Sequence, residues 1–132
     1  MIIDDLLIRA EVEAAFEAYE KALTSNDVAA LDGFFYDSPA SVRFGAGENL
    51  FGYAAIQAFR AARSPAGLAR RLEKTQITTY GRDAAVASTL FRRGSLPGKI
   101  GRQTQTWIRF PEGWRIVAAH VSIIDEPQDQ ST

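Results

Sequence analysis

The sequence predicts an α+β fold in which three N-terminal helices pack on a curved antiparallel sheet. Apolar residues recur every three or four positions in the first half of the chain and at every second position from Leu72 onward. The runs of the second half are separated by connections short enough for hairpins. Helices first and strands last place the helices together on one face of the sheet.

The first half contains three predicted helices. The first covers residues 4–24, and its apolar face contains Ile8, Val12, Phe16, Tyr19 and Leu23. The polar residues 25–27 can cap a second helix, which ends at Pro39 because proline cannot continue it. A third helix follows Gly52.

The second half consists of strands joined by short turns. One further short strand is predicted within the first half, at 41–44, before a glycine-rich loop and the third helix. Four longer strands, which form a meander, are predicted at 72–80, 84–93, 99–110 and 114–124. The 132 residues therefore form one domain, with a polar, frayed tail over 125–132.

Composition and charge exclude several classes of protein. Lys and Arg number 15 against 16 Asp and Glu, so the chain lacks the basic excess of nucleic-acid binders and polybasic membrane anchors. Asp4 and Asp5 stand where a signal peptide carries basic residues, and we expect a cytoplasmic protein. The absence of cysteine excludes thiolate nucleophiles and iron–sulfur clusters. With a single histidine and no dinucleotide fingerprint, neither a metal nor a cofactor is expected.

Polar side chains alternate along the last two strands and suggest a binding site. If the sheet curls beneath the helices, its inner face lines a pocket. We assign to that face, as substrate-binding candidates, Arg102, Thr104, His120 and Ser122. The opposite face is predicted to form a homodimer interface, since most of its residues are apolar: Gln103, Gln105, Trp107, Val117, Ala119, Val121 and Ile123.

Each candidate also has a purely structural interpretation. Arg102 can form an ion pair with Glu48 or Glu73, and His120 can be a hydrogen-bonded core residue. A basic cluster near the third helix is either a solvated rim or a positive mouth that attracts anions: Arg60, Arg63, Arg70 and Arg71. Tyr19 lies in an apolar stripe, so the structural interpretation is a core tyrosine.

Five segments resemble the AtzH-like group of the nuclear transport factor 2-like, or SnoaL-like, superfamily. They are AFEAYEKAL (15–23), VRFGAGENLFG (42–52), AFRAARSPAGLAR (58–70), ITTYGRDAAVAST (77–89) and GRQTQTWIRFPEGWRIVAAHVS (101–122). The resemblance covers essentially the whole chain, and VRFGAGEN together with GRQTQTW is its most specific part. It implies a cone of helices and sheet with an internal pocket.

The resemblance also implies an activity. Members accompany amidase-signature hydrolases in cyanuric acid and oxalurate catabolism, so this chain is expected to be a cofactor-independent, amidase-type hydrolase. Its expected substrate is a small dianion, 1,3-dicarboxyurea, which gives allophanate. The catalytic positions implied by the resemblance are Tyr19 and Arg43.

Two other functions remain open at this point. The protein could be a non-catalytic binding or assembly subunit for a neighbouring amidase. Isomerase or cyclase chemistry, which other members of the superfamily perform, is less favoured because it requires an inward carboxylate as base. The sequence places no acidic residue on the inner face.

Overall fold

The computed structural model describes residues 1–127 and confirms the α+β class. The helices are α1 (Leu6–Thr24), α2 (Val28–Phe34) and α3 (Tyr53–Ala62). The strands are β1 (Val42–Phe44), β2 (Asn49–Phe51), β3 (Arg71–Tyr80), β4 (Ala84–Arg92), β5 (Lys99–Phe110) and β6 (Gly113–Asp125). Of the tail predicted over 125–132, residues 128–132 lie outside the described residues.

The first two helices begin at aspartate caps. The Asp5 carboxylate accepts hydrogen bonds from the backbone N–H groups of Leu7 and Ile8, at 3.0 and 3.3 Å. Asp27 caps α2 by accepting from the N–H of Ala30 at 3.1 Å, as the polar run 25–27 predicted. The predicted apolar stripe of α1 is buried along its whole length. Within residues 1–127, no helix has both the length and the hydrophobicity needed to span a bilayer.

The six strands form one sheet in the order β2-β1-β6-β5-β4-β3. All neighbours are antiparallel except β1 and β6, which pair in parallel with Val42 opposite Ala118. A parallel pair needs a long crossover, and here the chain between the two strands contains α3 and the β3–β5 meander. β2 was not predicted, because its three residues lie between Gly47 and Gly52 in a segment that the sequence indicates as a loop.

The row of residues predicted for the outer face of β5 is buried under the helices. Gln103, Gln105 and Trp107 are exposed by 4%, 0% and 0% respectively. The Trp107 ring packs edge-on against Tyr19 of α1, with centroids 6.4 Å apart. The predicted inner and outer faces of β5 are therefore reversed.

A β-bulge in β6 explains why no single alternation describes that strand. Thr106 of β5 pairs with Ala118, while the next residue, Trp107, pairs with Ile116. Val117 is thus an extra residue, and it moves the following side chains to the opposite face. Residues on the two sides of Val117, which the sequence pattern places on one face, lie on different faces.

The four predicted substrate-binding residues consequently lie on the outer face, and their assignment to the inner face is wrong. They form two cross-strand pairs, Arg102 with Ser122 and Thr104 with His120. Arg102, Thr104 and His120 are exposed, and Ser122 is half-buried. Arg102 bonds to the Ser122 hydroxyl at 3.1 Å rather than pairing with either predicted glutamate.

The homodimer stays a prediction, but its predicted interface residues are wrong because most of that row faces the interior. We still expect self-association in sedimentation velocity at micromolar concentration. The outer face that remains for it is only sparsely charged and includes Thr104, Ala118 and His120. A monodisperse monomer would contradict the dimer.

Replacing Gly101 with Ala is expected to destabilise the protein by roughly 1–3 kcal/mol, because an added methyl group overpacks the core. A Cβ atom at Gly101 would overlap the ring of Phe91 on the neighbouring strand. Gly33→Ala is the control, since nothing lies within 4 Å of the position of its Cβ and Ala favours the helix. Urea unfolding of the two variants measures the difference, and equal stabilities would contradict the overlap.

Candidate functional site

A cavity of about 480 Å³ opens between the inner face of the sheet and the segment formed by α3 and the loop after it. Its apolar wall includes Phe59, Leu68, Phe91, Val121 and Ile123. Its charged wall consists of Arg43, Glu48, Arg63 and Arg93. The volume lies in the usual range for small-molecule sites.

Arg43 points into this cavity from β1 and is only 8% exposed. Its Nη1 atom donates to Glu48 Oε1 at 2.8 Å, and its guanidinium lies 5.6 Å from the centroid of the Phe59 ring. Glu48 is carried by the turn between β1 and β2, which brings the carboxylate back toward the strand. Arg43 therefore already holds one carboxylate.

Tyr19 lies in the core and is 3% exposed. Arg60, on the last turn of α3, is fully buried and donates from Nη2 to the Tyr19 hydroxyl at 2.8 Å. The Arg60 guanidinium also lies over the Phe35 ring, at 5.2 Å from its centroid. Neither Tyr19 nor Arg60 contributes to the cavity wall itself.

The electrostatic surroundings of Tyr19 favour its ionised form. Burial is the largest single effect and raises the pKa of the phenol, while the charges of Arg60, Arg43 and Arg70 lower it. The hydrogen bond from Arg60 acts in the same direction, and the net pKa of Tyr19 is lowered. The phenol is therefore a stronger acid than an ordinary tyrosine.

We expect Tyr19 to ionise below the ordinary tyrosine value of about 10. As the pH is raised, the near-ultraviolet absorbance of tyrosinate should first increase by a step that corresponds to one residue. Tyr19→Phe should remove this first step. Tyr53 serves as the internal comparison, because burial and the nearby Asp32 and Asp37 raise its pKa. A titration curve that is unchanged by Tyr19→Phe at its low-pH end would contradict the assignment.

Arg70 and Glu20 form the best-satisfied ion pair near the site. Nε and Nη2 of Arg70 donate to the two carboxylate oxygens of Glu20 at 2.7 and 2.6 Å. Nη2 also donates to Gln103 Oε1 at 3.1 Å. With the Arg70 side chain 1% exposed, this group is part of the structural core beside the cavity.

Arg63 and Arg93 face the cavity without a carboxylate partner in the described part of the chain. Arg93 donates to the backbone carbonyl of Gly67 at 2.8 Å. Nε and Nη2 of Arg63 are buried and donate to no acceptor among residues 1–127. Burial, with the charges of Arg60 and Arg43, lowers the pKa of Arg63 to about 10.

The four arginines of the basic cluster predicted from the sequence have different environments in the structure. Arg60 and Arg70 are buried, Arg63 lines the cavity, and Arg71 is exposed beside Glu73. The solvated-rim interpretation is therefore wrong for Arg60 and Arg70. Sequence analysis missed Arg93 as a wall residue, and its position next to a strand end carried no signal.

Two acidic residues that the sequence did not place are near the cavity, Glu20 and Glu48. Each is engaged by an arginine, so neither is a free carboxylate base.

Thr104 and His120 border a separate depression of about 210 Å³ on the outer face of the sheet. In residues 1–127, no three His, Asp or Glu side chains are placed to share a metal ion.

Two solved structures are similar over nearly the whole chain. A protein of unknown function from Pectobacterium atrosepticum is 58% identical, with a TM-score of 0.91 over 93% of this chain and 95% of its own. A cystatin-like fold protein from Burkholderia xenovorans is 44% identical, with a TM-score of 0.92 over 96% of this chain and 99% of its own. No curated protein matches the chain significantly.

More distant structures share the fold alone. One is a putative dehydratase of the nuclear transport factor 2-like family from Streptomyces avermitilis, 17% identical with a TM-score of 0.74 over 89% of this chain and 97% of its own. The AtzH-like family model matches residues 1–127. The cone of helices and sheet, the arginine-lined cavity and this match over nearly the whole sequence agree, and the chain belongs to the AtzH-like family.

Proposed function

We propose that this protein is a small amidase-type hydrolase that converts 1,3-dicarboxyurea to allophanate without a cofactor. The observation that carries the proposal is the Tyr19 phenol, which is bonded to the buried Arg60 at 2.8 Å and lies within the electrostatic influence of Arg43 in the cavity wall. Membership of the AtzH-like family supports it, since the resemblance implies this activity.

The charge of the cavity suits a small dianion. Three guanidinium groups line it, those of Arg43, Arg63 and Arg93, and one carboxylate of the wall, Glu48, compensates part of their charge. The chain as a whole has a net charge of -1, so the positive charge is concentrated here. Guanidinium groups bind carboxylates as bidentate partners and stay protonated while doing so.

The proposed reaction breaks the bond between a urea nitrogen and the carbon of one N-carboxyl group. The bonding electron pair stays on nitrogen, which takes a proton from the Tyr19 hydroxyl, and the carboxyl group leaves as carbon dioxide. The phenolate, stabilised by Arg60, then recovers a proton from water, and the hydroxide converts carbon dioxide to bicarbonate. The sum is one dianion and one water giving allophanate and bicarbonate.

This chemistry requires a movement of side chains, because the Tyr19 hydroxyl does not line the cavity in this structure. The side chains that line the cavity include Arg43, Phe59 and Arg63. A substrate carboxylate that replaces Glu48 on Arg43 would open the ion pair at the base of the β1–β2 turn. We include this exchange of carboxylates in the proposal.

The test is an assay of the purified protein with freshly generated 1,3-dicarboxyurea. Allophanate and carbon dioxide are followed against a blank without protein, which accounts for spontaneous decay of the substrate. Release faster than the blank, and proportional to protein concentration, supports a hydrolase. A rate equal to the blank at high protein concentration would remove the proposal.

The alternative is a non-catalytic binding or assembly subunit for a neighbouring amidase-signature hydrolase. The observation that favours it is the burial of Tyr19, which is typical of a core tyrosine. Under this alternative, the amidase would respond to the presence of the protein, and the Tyr19 hydroxyl would be dispensable.

A further inference from the structure

We propose that Arg63, assisted by Arg93, is a second carboxylate-binding site in the cavity, separate from the Arg43–Glu48 pair. The site makes the cavity selective for small molecules with two anionic groups. For the identity of its natural ligand, this inference rests on the proposed function. The anion site itself consists of the guanidinium groups of the cavity wall that have no carboxylate partner among the described residues.

Arg63 differs from the other arginines of the site in what its guanidinium contacts. Arg43 holds Glu48, Arg70 holds Glu20, and Arg60 holds the Tyr19 hydroxyl. Arg63 has no such partner in the described chain, and its Nε and Nη2 atoms are buried. Nε and Nη1 of Arg60 are also buried without an acceptor in residues 1–127, but Arg60 is not part of the cavity wall, whereas Arg63 is and can be reached by a ligand. A buried donor without an acceptor is costly, so the arrangement is best explained by an acceptor that arrives from outside.

The position of Arg63 provides only part of the compensation its charge needs. The residue caps the C-terminus of α3, where the partial negative charge of the helix end favours a cation. The positive charges of Arg43 and Arg93 in the cavity wall, and of Arg60 in the core, oppose the protonated form of Arg63. A full negative charge in the cavity would relieve that repulsion.

Arg93 lies where it can share the ligand. It faces the same cavity from the end of β4, and one of its nitrogens is fixed by the carbonyl of Gly67 in the loop after α3. That bond orients the guanidinium and ties the strand to the loop. Two guanidinium groups with no carboxylate partner thus face one space with an apolar wall of Phe59 and Phe91.

The experiment measures binding of glutarate by calorimetry, with butyrate as the monoanionic comparison. Three carbons separate the two carboxylates of glutarate, as many atoms as separate those of 1,3-dicarboxyurea. We expect wild-type protein to bind glutarate more tightly than butyrate. Arg63→Gln should lower the affinity for glutarate about 10- to 100-fold and abolish this preference, since a charged hydrogen bond is lost.

Two further variants define the origin of the effect. Arg63→Lys keeps the charge but loses the planar fork, and we expect it to restore only part of the affinity. Arg82→Gln removes the same charge from the exposed β3–β4 turn, and its glutarate affinity should equal that of the wild type. An equal loss in Arg82→Gln would show a general effect of net charge and overturn the site.

Thermal unfolding separates ligand binding from a structural role. Without ligand, Arg63→Gln should unfold at the same or a higher temperature than wild type, because an uncompensated charge has been removed. Glutarate should raise the unfolding temperature of the wild type and not that of Arg63→Gln. A lower unfolding temperature of the ligand-free variant would indicate a structural arginine and contradict the inference.

The outcomes for this site and for the proposed function are distinguishable. Unchanged glutarate affinity in Arg63→Gln, or no glutarate binding by the wild type, overturns the second carboxylate site whether or not dicarboxyurea is turned over. Glutarate binding that depends on Arg63, in a protein that does not accelerate the decay of dicarboxyurea, supports the site and removes the hydrolase.

Discussion

Replacing Tyr19 with Phe is expected to lower the turnover of 1,3-dicarboxyurea by ~10²- to 10⁴-fold, the usual contribution of a general acid. Phe fills nearly the same volume, so the edge-on contacts of the ring with Phe34 and Trp107 are retained. The variant should therefore keep the fold, with a loss of stability of roughly 1–3 kcal/mol because the buried Arg60 Nη2 loses its acceptor. Glutarate should still bind, because the arginines of the cavity wall are unchanged.

The matched control is Tyr53→Phe, which removes a different tyrosine hydroxyl. Tyr53 lies on α3 and donates to the backbone carbonyl of Asp32 at 3.0 Å, away from the cavity wall. We expect turnover within a factor of about two of the wild type for this variant, as for a lost surface hydrogen bond. Unchanged turnover in Tyr19→Phe would sink the catalytic assignment and favour the assembly subunit.

The fold could be predicted from the sequence because its periodicity is simple. The change from a period of 3.6 to a period of 2 near Leu72 marks the boundary between helices and meander, and the structure confirms it. The faces of the sheet could not be predicted in the same way. One extra residue, Val117, shifts the alternation within β6, and a bulge of this kind has no marker in the sequence.

The polar residues of β5 also contributed to the wrong assignment of the two faces of the sheet. The sequence pattern assigns Gln103 and Gln105 to the outer face and its dimer interface, and Thr104 to the inner face as a substrate-binding candidate. In the structure, Gln103 accepts from Arg70, and Gln105 accepts from the indole N–H of Trp107. Buried amides with specific partners cannot be recognised before the partners are known.

The candidate site was partly predictable. Arg43 alternates with Val42 and Phe44, so its inward orientation follows from the strand period once one face of β1 is buried. The ion pair of Glu20 could not be predicted from the sequence, since it depends on the tertiary approach of two distant segments. The pair of Glu48 with Arg43 is local, but it depends on the path of a turn that the sequence shows only as a glycine-rich loop. Glu20 and Arg70 are 50 positions apart in the chain.

Replacing Arg70 with Met is expected to lower the free energy of unfolding by ~3–5 kcal/mol, because it leaves a largely buried carboxylate without its partner. The Glu20 side chain is 17% exposed, and both of its oxygens accept from Arg70. The change also removes the bond to Gln103 and the contact of the guanidinium with the Phe91 ring, 4.6 Å from its centroid. Urea unfolding measures the loss.

The double variant Arg70→Met with Glu20→Met determines how much of that loss comes from the stranded carboxylate. When both charges are removed, an apolar pair of similar size can replace a buried ion pair at little net cost. We therefore expect the double variant to be more stable than Arg70→Met alone. A double variant as unstable as the single one would show that Arg70 acts through packing on Phe91 and its bond to Gln103. Arg63→Gln, in contrast, should not destabilise the ligand-free protein. Comparing the stabilities of Arg70→Met and Arg63→Gln therefore distinguishes the structural arginine, Arg70, from the arginine that is available to a ligand, Arg63.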